Sequence, residues 1–135
     1  MIQRMQTVWL LLASLCGFLT LKFSFYSGLN EAGAYENLTA YHNTILLVLT
    51  IGTALLALIN IFFYKNRKQQ IRICLIGLLA QAGCLAIYFL TIQKFKQGNF
   101  DLWSVFALGV LVFFILAVRN IYKDEKLVKS LDRLR

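Results

Sequence analysis

Along this chain the apolar residues fall into four long runs, with the polar residues gathered in the short stretches between them. A helix needs about 20 residues to cross a hydrocarbon core about 30 Å thick. The runs at 7–25, 44–64, 71–92 and 102–119 approach or meet that length. None alternates apolar with polar positions, as the roughly ten-residue strands of a membrane barrel do. The pattern therefore predicts an all-α membrane protein: four transmembrane helices in an antiparallel bundle, a single domain over 1–135, with a tail at 120–135. The first run is the weakest, because it breaks at Leu21 and Lys22 must snorkel toward the interface. Ala32-Gly33-Ala34 has the form of a leader cleavage site, but the apolar run stops near Phe25, so the first span is expected to be retained. Leu15 before Cys16 lacks the small side chain that a lipoprotein signal would place there.

Charge orients the spans. Lys and Arg are held on the cytoplasmic side of a membrane, and eleven of the fourteen lie at Arg4, in the second loop (Lys65, Arg67, Lys68, Arg72) and in the tail from Arg119 to Arg135. Only Lys22, Lys94 and Lys96 fall in the first and third loops, which places both termini in the cytoplasm. Composition agrees with insertion: 59% of the 135 residues are hydrophobic and 15% charged, too apolar for an ordinary water-soluble domain. The net charge of +8 suggests no nucleic-acid partner, since the cations flank apolar runs and line no face of a soluble module. Residues 26–41 become the largest outer segment, whose Tyr26, Tyr35 and Tyr41 suit an interfacial aromatic belt or, alternatively, a vestibule that gathers a solute. Trp9 and Trp103 read as interfacial anchors on opposite sides.

Reactive chemistry is hard to find. Cys16, Cys74 and Cys84 all lie within apolar runs, odd in number and without a C-x-x-C pair, so they read as small hydrophobes. His42, the only histidine, stands at the outer edge of the second span, and no cluster has metal-ligand spacing. No ionisable residue sits deep in a span, where ion and proton relays keep theirs. Proline is absent, whereas carriers often use helices broken by Pro or Gly. No phosphate loop or nucleophile elbow occurs, and Asp124-Glu125 are sequential, so they diverge on a helix and read as exposed ion-pair formers. Neither an enzyme nor a cofactor is expected.

Counting inward from the cytoplasmic ends, Gln81 falls level with Thr53, with Ser14 to Gly17 and with Gly109, at a depth of about 15 Å. This predicts a mid-membrane polar layer in which Gln81 bonds Thr53 or Ser14 while small residues let the helices approach. Ala13 with Gly17, and Gly77 with Ala80 and Cys84, have the spacing of contact stripes. Asn60, nearer the edge, is expected to bond a neighbouring helix or interfacial water.

Beyond the fourth run nothing breaks the helix. Leu127, Val128, Leu131 and Leu134 make an apolar stripe among mixed charges, and Glu125 with Lys129 forms an i, i+4 pair. A stripe beside Asp124, Glu125, Asp132 and Arg133 suits protein contact better than a purely lipid-binding tail. Lys65, Asn66, Arg67 and Lys68 share that membrane face with Arg4, so loop and tail are expected to form one surface.

Three stretches carry a resemblance. They are Met1-Ile2-Gln3-Arg4-Met5-Gln6-Thr7-Val8, Tyr64-Lys65-Asn66-Arg67-Lys68-Gln69-Gln70-Ile71-Arg72 and Lys123-Asp124-Glu125-Lys126-Leu127-Val128-Lys129-Ser130-Leu131-Asp132-Arg133-Leu134-Arg135. Together they resemble a bacterial family of small four-span membrane proteins known only as a domain of unknown function. The resemblance implies an inner-membrane location and supplies no activity; Trp9 stands where it implies a tyrosine. The expected role is a non-enzymatic accessory or scaffold subunit, in contact with lipid and with a membrane or cytoplasmic protein partner, and able to self-associate. The alternative is a small carrier for a lipid, quinone or other apolar solute, built on the Gln81 layer and the outer tyrosines.

Overall fold

A computed structural model describes residues 2–134, with side chains from residue 5 onward. Its elements run α1 (Ile2–Lys22), β1 (Tyr26–Leu29), β2 (Tyr35–Leu38), a 3-10 turn (Ala40–His42), α2 (Thr44–Phe62), α3 (Arg67–Ile92), β3 (Gln97–Phe100) and α4 (Ser104–Arg133). All four helices are long and apolar enough to cross a membrane, which marks a multi-pass membrane protein. Each packs against two others: α1 and α3 both contact α2 and α4 and lie diagonally across from one another. The chain reverses between α2 and α3 within residues 63–66, at what we call the loop end.

A regular stripe of buried positions runs along every helix. It comprises Gln6, Leu10, Ala13, Gly17 and Thr20 on α1, flanked by Ser14 and Cys16, and Leu46, Thr50, Thr53, Ala57 and Asn60 on α2, flanked by Ala54. On α3 it includes Gln70, Cys74, Gly77, Gln81, Cys84 and Tyr88, and on α4 Ala107, Val110, Phe114, Ala117, Ile121 and Asp124. Steps of three and four alternate throughout, the heptad spacing by which helices pack knobs into holes. The seam mixes small and polar residues with large apolar ones such as Leu10, Leu46 and Phe114, while further large apolar side chains such as Val48, Ile76, Leu79 and Leu108 point outward. In lipid the outer face needs no cover, and association relies on close approach and interhelical hydrogen bonds. Gly17 lets α1 meet Ala54 of α2, and Gly77 receives the ring of Phe114 from α4.

Helix ends follow local rules. Asn43 caps α2, its Oδ1 accepting from the Ile45 N–H at 3.1 Å. The main-chain carbonyl of Asp101 accepts from the Ser104 N–H where α4 opens. At 30 residues α4 is about 45 Å long, against a hydrocarbon core of about 30 Å, so it is longer than a span requires. The helix does continue through the tail, to Arg133.

The opposite end departs from an all-α chain. There β1 sits between β2 and β3, antiparallel to both, in a three-stranded sheet. Tyr26 faces Leu38 on one side and Phe100 on the other. Asn30 shapes the β1–β2 turn by accepting from the Ala32 and Ala34 N–H groups, with Gly33 at φ 79°. Gly28 opposes Gly98 so closely that a Cβ on Gly28 would lie 2.2 Å from the Gln97 carbonyl oxygen. Asp101 ties the sheet to α4 by accepting from the hydroxyls of Ser24 and Ser27. Beneath it Phe25 stacks on Tyr88 at 4.3 Å, and Tyr26 meets Phe95 and Phe100 edge-on. Each strand has four residues, and β3 comes from a segment far along the chain, so no alternating run announces the sheet.

Candidate functional site

The mid-bundle layer forms, though less symmetrically than the sequence implies. Gln81 donates through Nε2 to the Ala107 carbonyl of α4 at 3.0 Å, and its Oε1 lies 3.4 Å from the Thr53 hydroxyl. That hydroxyl is closer to the Thr50 carbonyl, at 2.9 Å, so its single proton is drawn mainly to its own helix. Ser14 is buried, but no hydrogen bond joins it to Gln81 among the described residues. The reason is positional: α1 and α3 are diagonal, and α1 meets α2 through Gly17.

A second polar node lies nearer the loop end. Asn60 and Gln70 exchange side-chain to main-chain hydrogen bonds across α2 and α3, at 3.2 and 3.3 Å, and the Asn60 amide also contacts Cys74 Sγ. Of the two expectations for Asn60, the neighbouring helix is the one realised. This node holds the hairpin from which the basic loop projects.

At the loop end the two basic segments converge. A groove of about 560 Å³ is lined by loop residues including Lys65, Asn66, Arg67 and Lys68 and by Glu125 and Val128 of the tail. Arg67 donates to the Asp124 carbonyl oxygen at 3.4 Å. Glu125 pairs with Lys129 at 3.0 Å, as their spacing implies. Leu127, Val128, Leu131 and Leu134 are exposed, the last at 84%, while Asp132 and Arg133 face solvent beside them. The side chain of Arg4 lies outside the described residues.

Asp124 corrects the expectation of an exposed ion-pair former. It is 3% exposed, and its Oδ2 accepts from the side-chain amide of Gln6 on α1. The cause is the heptad: Phe114, Ala117, Ile121 and Asp124 form one buried stripe, so Asp124 is its last seam position. Gln6 occupies the matching first position of α1, before Leu10 and Ala13. Extending both apolar stripes by one step would have found the pair. With Gln6 on one side and Arg67 on the other, the first turn of the tail is held against the bundle before its apolar stripe begins.

The chain belongs to the family described as a domain of unknown function, DUF4293, whose model matches residues 2–134. No curated protein and no solved structure matches it. Membership agrees with the resemblance carried by the opening, second-loop and closing stretches.

Proposed function

We propose that this protein is a non-enzymatic accessory or scaffold subunit of the bacterial inner membrane, whose cytoplasmic loop and tail together dock a membrane or cytoplasmic protein. In this reading the helices form an antiparallel bundle with both termini in the cytoplasm. The concentration of Lys and Arg at the loop end supports that orientation. The observation that carries the role is the clamp on Asp124: Gln6 and Arg67 position a helix whose Leu127, Leu131 and Leu134 stay exposed among the described residues. An apolar stripe held at a fixed angle beside a basic loop has the character of a docking surface, with an anchor region and a charged rim. Small-residue seams are used inside the bundle, so self-association would draw on the outer faces. The carrier alternative is not favoured, because the Gln81 amide is engaged by α4 and the helices are unbroken.

The test is in-cell cross-linking and purification in mild detergent, comparing the full chain with one ending at Lys126. The expected result is a stoichiometric protein recovered with the full chain and lost on truncation. Recovery of the same lipids, and no protein, with both forms would overturn the proposal.

A further inference from the structure

A second groove lies on another side of the tail, between α1 and α4, with a volume of about 870 Å³. Met5, Trp9 and Leu116 make its wall apolar, and Arg119, Lys123 and Lys126, all exposed residues, stand around it. Its position is where α4 leaves the hydrocarbon core, since the apolar run ends at Arg119. Two buried polar atoms of its lining residues have no partner among the described residues: the indole Nε1–H of Trp9, a donor, and Oδ1 of Asp124, an acceptor. Buried polar groups are normally satisfied, and orphans in a polar, roomy site point to something bound there.

We propose that this groove is a binding site for an anionic glycerophospholipid of the phosphatidylglycerol type. The phosphate meets the three cations and the Trp9 N–H, a headgroup hydroxyl donates toward Asp124, and an acyl chain runs down the wall made by Met5, Trp9 and Leu116. Charge selects this occupant. Three cations against one carboxylate leave the groove positive, which favours a net negative headgroup over a zwitterionic one. The apolar wall opening toward the membrane favours a lipid over a free phosphate ion. The inference rests on membrane insertion and not on the protein partner proposed above.

The test uses the full chain carrying Trp103→Phe, which retains a ring against Phe23 and leaves Trp9 as the single indole. Its fluorescence is titrated in vesicles with brominated phosphatidylglycerol or brominated phosphatidylcholine. Preferential quenching by the anionic lipid is expected, with the preference falling about fivefold for each of Lys123→Gln and Lys126→Gln. Equal quenching by the two lipids, or a preference unchanged in the double variant, would overturn the site. Native mass spectrometry of the unaltered chain gives a second reading, in which retained phosphatidylglycerol is expected and its absence contradicts the proposal.

Discussion

Replacing Gln6 by Leu would strip the buried Asp124 carboxylate of its side-chain donor. Because Oδ1 already lacks a partner, both carboxylate oxygens would then be orphaned in a position only 3% exposed. A hydrogen bond to a charged group contributes about 1.5–3 kcal/mol, and an orphaned buried group costs its desolvation, so Gln6→Leu is expected to destabilise by about 2–3 kcal/mol. Replacing both partners removes the orphan along with the bond. The double variant Gln6→Leu, Asp124→Leu is therefore expected within about 1 kcal/mol of the parent, giving a coupling of about 2 kcal/mol in the double-mutant cycle. Denaturant titration in micelles, followed by the fluorescence of nearby Trp9, measures all four chains. A neutral Gln6→Leu, or a double variant whose loss equals the sum of the singles, would refute the argument that this pair fastens the tail to α1.

Four other expectations follow from the same contacts. Gly28→Ala would drive a Cβ against the backbone of β3 and should cost about 1–3 kcal/mol, read as a lower melting temperature and faster proteolysis of the sheet end. Gly77→Ala would place a Cβ 2.8 Å from Cζ of the fully buried Phe114, with a similar loss in denaturant titration that Phe114→Leu in the same chain partly restores. Gln81→Leu should cost about 0.6–2 kcal/mol of stability while leaving partner recovery intact, whereas a carrier would lose its function with it. A C-terminal alkaline phosphatase fusion should be inactive in a bacterial host; an active fusion would reverse the assigned orientation.

What could be read in the sequence, and what could not, divides along a physical line. Length and hydropathy reveal membrane helices because lipid demands long uninterrupted apolar runs, and the four runs became four helices. The helices nevertheless extend past those runs: α3 begins at Arg67 and α1 at Ile2, since a membrane boundary ends a hydrophobic run without ending a helix. The sheet was hidden because Tyr26–Leu29 pairs with Gln97–Phe100, from which two helices separate it in the sequence, and a four-residue strand built around a glycine has no period of its own. Gln81 was visible as a lone polar residue deep in a span, but its choice of Ala107 over Ser14 depends on which helices are diagonal. Asp124 was misread because its neighbour Glu125, partly exposed, pairs with Lys129, and sequence adjacency hid a change of helix face.

The surface proposed for docking also explains why the loop and tail carry specific stretches rather than generic membrane-flanking charge. Lys65, Arg67 and Lys68 border the same groove as Glu125 and Val128, so a partner seated there would contact both segments at once. The most direct measurement is site-specific photo-cross-linking in living cells, with the photoreactive residue placed at Tyr64, at Leu131, or at Leu79 on the outward face of α3, which is 72% exposed. One and the same protein is expected to be captured from Tyr64 and Leu131, and not from Leu79. Capture of lipid alone from both loop-end positions, or of unrelated proteins from the two, would contradict it.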